Sequence, residues 1–133
     1  YAKPLPVVDV WSRPFWAACA EERLTAQRCD ESGEVWFPPS PISPVTRTEK
    51  WSWVNLSGRG AIYSFVEFHQ RYFAGFADDL PYNVAQIKLE EGPYFIANIV
   101  GCGNADLAID MPVTVVFERV TDAITLPKFT PVR

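Results

Sequence analysis

The chain has 133 residues, 48% of them hydrophobic and 14% aromatic, with five Trp, nine Phe and five Tyr. That length holds one domain, or one domain with a small appendage, and the aromatic surplus leaves rings for an interface. A formal charge of −4 argues against sequence-independent nucleic-acid binding, which needs Lys and Arg to neutralise phosphates.

Cys19, Cys29 and Cys102 are widely spaced and odd in number. They do not read as a disulfide framework, so a reducing compartment, the cytoplasm, is expected. No apolar run approaches the roughly 20 residues that span a bilayer, and no signal-peptide pattern is read ahead of the first helix.

Residues 1–10 contain Pro4 and Pro6 and predict an extended arm. Ser12 is the expected N-cap and Pro14 falls in the first turn, where a missing N–H does no harm. Phe15, Trp16, Cys19 and Ala20 then recur at spacings of three and four, an amphipathic helix ending near Glu21 or Glu22. Leu24–Arg28 reads as a strand, Asp30–Gly33 as a turn, and Glu34–Phe37 as the returning strand. Residues 38–48 hold Pro38, Pro39, Pro41 and Pro44 and predict a linker or an irregular lobe.

The stretch 24–48 has the outline of a zinc ribbon emptied of ligands. Cys29 is followed three positions on by Ser32 and then Gly33; Ser43-Pro44-Val45-Thr46 follows the proline run. With Cys at 32, 43 and 46 the segment would carry two Cys-x-x-Cys knuckles of a tetrahedral site. As it stands only Cys29 is a soft ligand, and hydroxyls are poor zinc ligands. The expectation is therefore the ribbon shape without the ion, with Cys29, Ser32, Ser43 and Thr46 as a vestigial metal site. Structural zinc supplies roughly 10–16 kcal/mol in small domains, so Trp36, Phe37 and the rigid proline run, or packing on the rest of the chain or a partner, must stabilise this lobe instead. The plainer reading of Cys29 is a small core residue.

Beyond residue 48 the texture changes. Lys50–Leu56 alternates around Trp51, Trp53 and Asn55, and Gly58-Arg59-Gly60 marks a bend. Ala61–Phe68, Pro81–Glu90, Tyr94–Val100 and Pro112–Val120 read as strands, with a turn at Glu90–Pro93 and a short helix or loop over 101–110. Five strands and one short connecting helix suit a small closed barrel of the oligonucleotide/oligosaccharide-binding (OB) type. The expected organisation is arm and helix over 1–23, a degenerate zinc-ribbon lobe over 24–48 and an OB barrel over 49–133, a mainly β fold.

Together these motifs resemble the DUF35 family. The matching features are Pro14-Phe15-Trp16, Leu24 through Cys29 and Gly33, Phe37-Pro38-Pro39, Leu56–Gly60 into Ala61–Phe65, Pro81-Tyr82, Leu89–Pro93, Met111-Pro112-Val113, Val116-Phe117-Glu118 and Phe129-Thr130-Pro131. The resemblance implies an N-terminal helix, a rubredoxin-like ribbon and a C-terminal OB barrel; the emptied zinc site is the departure. It also implies a non-catalytic companion of a thiolase-superfamily enzyme acting on carbon–carbon bonds of acyl-CoA esters. Such companions serve thiolases, related acyltransferases and aldolases that shorten steroid side chains. A thiolase-like catalytic subunit, and in some cases a hot-dog hydratase, would be the partners, with the CoA thioester as substrate of the complex and no cofactor on this chain.

The residues best suited to that role lie in Phe68–Phe76, a connection too aromatic for a solvated loop. His69, Arg71, Tyr72, Phe73 and Phe76 are the candidate contacts with a partner or the CoA ester, Arg71 through its guanidinium fork on a phosphate. The alternative is that Tyr72, Phe73 and Phe76 plug one end of the barrel. His69, the single histidine, would need an orienting group such as Glu67 or Asp78 to act as a base. Cys102 has neither a helix N-terminus nor a nearby cation legible beside it, as a reactive thiol needs, and reads as a packed or edge cysteine. Gly58-Arg59-Gly60 lacks the Lys-Ser/Thr of a phosphate loop. Two further functions stand beside the accessory subunit: a single-stranded nucleic-acid binder stacking bases on Trp51 and Trp53, and a hydrolase using His69 and Cys102.

Overall fold

The computed structural model describes residues 1–133. One helix, α1 (Arg13–Ala20), is followed by β1 (Thr25–Cys29), β2 (Val35–Trp36), β3 (Trp51–Asn55), β4 (Arg59–Phe68), β5 (Tyr82–Leu89), β6 (Tyr94–Ala97), β7 (Pro112–Arg119) and β8 (Thr125–Pro131), with short 3₁₀ turns at Ala74–Asp79 and Asn104–Asp106. The helix buries Phe15, Ala18 and Cys19; Phe15 and Cys19 lie on the predicted face, whereas Trp16 is half-buried, Ala20 is exposed and Ala18 takes its place. Its entry differs from expectation. Ser12 makes no capping bond from its side chain to the helix. Asp9 instead accepts from the amides of Trp11 and Ser12 at 3.0 and 2.7 Å, while its own amide donates to Ser12 Oγ at 3.1 Å. The reciprocal pair is a capping box one turn earlier.

The strands form two sheets, β2-β1-β3 and β6-β5-β4-β7-β8. This corrects one strand assignment. Trp51–Asn55 pairs antiparallel with β1 from Thr25↔Asn55 to Cys29↔Trp51, so it belongs to the ribbon sheet. The fifth strand of the larger sheet is β8. That sheet curls into a half-barrel of OB type. Its open side, between β6 and β8, is spanned by one parallel bridge, Ile99↔Phe129, with Val100 N–H donating to the Phe129 carbonyl at 2.8 Å and Phe129 N–H to that of Asn98 at 3.1 Å.

Two glycines permit close strand approach. Gly58, at φ 78°, lies where a side chain would strike Val115, and a Cβ on Gly60 would fall 2.5 Å from the Lys88 carbonyl oxygen.

One core joins the parts. Phe15, Cys19 and Leu24 pack with Ile62, Ala85, Ile87, Leu89, Phe95, Val113 and Phe129 of the half-barrel. Phe37 of the ribbon lies 5.2 Å from Phe15 and 4.6 Å from Phe95, ring centre to ring centre, and Phe95 is 5.9 Å from Phe129. The helix and ribbon thus share the apolar interior of the half-barrel, and the ribbon is anchored by burial.

Candidate functional site

The connection between β4 and β5 carries the candidate contact residues. Phe68 stacks on Tyr82 at 5.1 Å, and Phe76 packs on the same ring at 4.9 Å. Tyr72 meets Phe68 edge-on at 6.0 Å and Phe73 leans on Phe76 at 6.4 Å. Phe68 and Phe76 are half-buried, whereas Tyr72 and Phe73 remain 60% and 56% exposed. None of these rings belongs to the central core. The loop is therefore an aromatic ridge with buried feet and two exposed crests. Arg71 is exposed and makes no hydrogen bond or ion pair within the chain, leaving its fork free. His69 is 70% exposed, with Glu67 3.4 Å away.

The pair that the hydrolase alternative requires is not assembled. Cys102 sits half-buried in a groove of about 560 Å³ between the N-terminal arm, Tyr82 and the β7–β8 hairpin, and His69 does not line it. Burial pushes the Cys19 thiol up to about 12, which makes it inert. The base-stacking platform is absent from the barrel as well. Trp51 and Trp53 stand in the ribbon sheet, 6.1 Å apart and edge to face. Trp51 Nε1 donates to the Pro41 carbonyl at 2.9 Å, so this indole braces the proline run.

The four positions expected as a vestigial metal site do come together. Cys29 Sγ is 3.4 Å from Thr46 Oγ1, which is 3.0 Å from Thr48 Oγ1. Ser43, fully buried, accepts from the amides of Val45 and Thr46. Hydrogen bonds from Ser32, then Ser43 and Thr46, hold the Cys29 thiol down to about 6. One thiolate and three hydroxyls do not fit structural zinc, which takes four nitrogen or sulfur ligands. Nowhere in the chain do three His, Cys, Asp or Glu side chains converge.

A side-chain lattice closes the lobe. Buried Gln27 donates to the Ser40 carbonyl at 2.7 Å and accepts from its amide at 2.8 Å, and Trp36 Nε1 donates to Ser40 Oγ at 3.0 Å.

Sequence reasoning missed several residues here. The N-terminal arm lies against the aromatic loop, with Lys3 paired to Asp79. Asn83, 6% exposed, ties β5 to the closing bridge. Its amide donates to the Ile99 carbonyl and to Asn104 Oδ1, each at 2.9 Å, and its oxygen accepts from Ile99 N–H at 2.7 Å. A lone Asn amid apolar alternation was the available signal. Tyr63, turned out by a β-bulge between Ile62 and Ser64, meets Tyr94 at 5.0 Å on the outer sheet face.

No helix is long and apolar enough to cross a membrane. Helix, three-stranded sheet and OB half-barrel share one core, and Tyr72 and Phe73 stand exposed beside it. The sequence model described as "ChsH2, C-terminal OB-fold domain" matches residues 53–118. A DUF35 domain-containing scaffold protein of Methanocaldococcus jannaschii is 35% identical over 100 residues, 74% of this chain and 70% of that one. The 3-oxo-4,17-pregnadiene-20-carboxyl-CoA hydratase alpha subunit of Mycobacterium tuberculosis is 32% identical over 99 residues, and the match spans 74% of this chain but only 31% of that protein. A chain in the solved structure titled "Ltp2-ChsH2(DUF35) aldolase" superposes with a TM-score of 0.86 at 30% identity, covering 96% of this chain and 98% of that one. The chain belongs to the DUF35 family.

Proposed function

We propose that this chain is a non-catalytic accessory subunit of a heteromeric thiolase-superfamily complex acting on carbon–carbon bonds of acyl-CoA esters. The finer reading is a retro-aldolase that shortens steroid side chains. The observation that carries it is end-to-end superposition on a chain of an aldolase, 96% against 98% at a TM-score of 0.86. The likeness to a subunit named for a pregnadiene-carboxyl-CoA substrate supports the steroid class. Reaction chemistry would reside on a thiolase-like partner, and a hot-dog hydratase is a further candidate for the assembly. On this reading Tyr72 and Phe73 dock against the partner, Arg71 meets an anionic group such as a CoA phosphate, and Phe76 supports the crest from beneath. The ribbon works without metal, held by Gln27, Trp36 and Trp51.

Co-expression with a thiolase-like subunit tests this. A stable complex should purify, with carbon–carbon cleavage of the acyl-CoA ester lost when this chain is omitted. Turnover of a CoA thioester by the isolated chain, or a monomer that ignores every thiolase-like candidate, refutes it.

A further inference from the structure

The N-terminal arm crosses the 3₁₀ turn Ala74–Asp79 without sharing a backbone hydrogen bond with the rest of the chain; the first such bond from this end is Arg13 N–H to the Asp9 carbonyl. Two features hold it. Gly75 leaves a slot for the arm: a Cβ there would fall 2.3 Å from the Ala2 carbonyl oxygen and 2.9 Å from the Lys3 nitrogen. Lys3 fills the second role. Its ammonium pairs with Asp79 and stands 5.4 Å from the centre of the Phe76 ring and 5.9 Å from that of Tyr1. Hydrogen bonding to Asp79 raises the Lys3 pKa despite partial desolvation, and Glu118 adds attraction. Glu118 lines the same groove as Lys3 and Asp79, and is itself paired with Lys128 of β8. The charges alternate across the groove: Asp79 of the loop, Lys3 of the arm, Glu118 of β7, Lys128 of β8.

We propose that the arm is a clasp and Lys3 its positioning residue, tying the aromatic loop to the β7–β8 hairpin so that Tyr72 and Phe73 are presented in one fixed arrangement. This deepens, and rests on, the docking role proposed above. The physical reason is entropic. An exposed loop that docks must be ordered, with a cost for each immobilised rotamer-rich side chain, and a clasp meets part of that cost before the partner arrives. Phe76, beneath Lys3 and against Tyr82, passes the restraint to the crest through its contact with Phe73.

Amide hydrogen exchange on the full chain reads the clasp without any partner. Lys3→Met is expected to speed exchange between Phe73 and Leu80 about five-fold, leaving β1 and β5 unchanged, while Lys3→Arg keeps the original protection. Gly75→Ala, which involves no charge, should give the same local acceleration by lifting the arm. Unchanged exchange in both Lys3→Met and Gly75→Ala overturns the clasp, and so does acceleration spread evenly over the half-barrel. Affinity for the thiolase-like subunit, measured on the same variants, should fall in step. Faster exchange with unchanged affinity leaves the clasp standing and removes the docking role of the loop.

Discussion

Replacing Asn83 with Ala should cost this protein about 3 kcal/mol. Three hydrogen bonds converge on that amide, from Nδ2 to the Ile99 carbonyl, from Nδ2 to Asn104 Oδ1, and from Ile99 N–H to Oδ1. At a net 1 kcal/mol or so each, their sum is about 3 kcal/mol. The orphaned N–H and C=O of Ile99, a residue only 3% exposed, push the loss upward if water cannot reach them. Between the values for smaller and larger domains, this corresponds to a melting temperature lower by about 10 °C. The loss has an address, because Ile99 is the residue that bridges Phe129 and spans the open side of the half-barrel. Thermal and urea unfolding give the magnitude; amide exchange at Val100 and Phe129 gives the location. Asn83→Asp is the sharper test: it keeps the acceptor for Ile99 N–H but sets a carboxylate oxygen against the Ile99 carbonyl and Asn104 Oδ1, so it should destabilise at least as much at neutral pH. A loss below about 1 kcal/mol, with normal exchange at Val100 and Phe129, would show that the bridge does not depend on this side chain.

Other outcomes follow from the ribbon and the ridge. The triple substitution Ser32→Cys, Ser43→Cys, Thr46→Cys should capture one zinc per chain, detectable by mass spectrometry of the native protein, and raise stability by about 4 kcal/mol at a free metal concentration 1,000 times the Kd; failure to bind would mean the knuckles have lost their tetrahedral shape. Because Cys29 is held down to about 6 in the folded chain from an ordinary 9.0, its stabilising contribution is complete above pH 9 and lost as pH falls through 6. Unfolding stability should therefore climb from pH 6 to 9 in the native chain, and Cys29→Ala should flatten that climb. Phe73→Ser should weaken association with the proposed thiolase-like partner by about 30-fold, the scale of one interface hot spot, while leaving the melting temperature unchanged; an undiminished affinity would remove this crest from the proposed interface. Gln27→Ala removes both bonds to Ser40 and should destabilise by about 2 kcal/mol, with faster exchange confined to the ribbon.

Local pattern carried much of the fold. Phe15 and Cys19, one helical turn apart, announce the buried face of α1, and both are at most 2% exposed. The alternation in Ala61–Phe68 and Pro81–Glu90 marks two strands that pair along almost their whole length. The helix cap shifted from Ser12 to Asp9 because both are good caps and only the path of the arm chooses between them. Phe68–Phe76 stood out in the sequence by its rings alone, yet which rings rest on Tyr82 and which stand clear required coordinates.

What the sequence determined by itself was where segments alternate, where they turn, and that Ser32, Ser43 and Thr46 set hydroxyls at the spacing of two Cys-x-x-Cys knuckles. What tertiary structure decided was which segments pair. Lys50–Leu56 alternates as a strand of either sheet would, since a period of two specifies a buried face and says nothing of the neighbour. The last strand was hidden by Pro127 and Pro131, which argue against a central strand. The fold resolves that conflict: Phe129 turns its N–H toward Asn98 on the open side of the half-barrel, and Pro127 and Pro131, two residues either way, share that side. There the missing N–H groups have no strand to meet, so prolines that forbid pairing on one side of β8 leave its pairing with β7 intact.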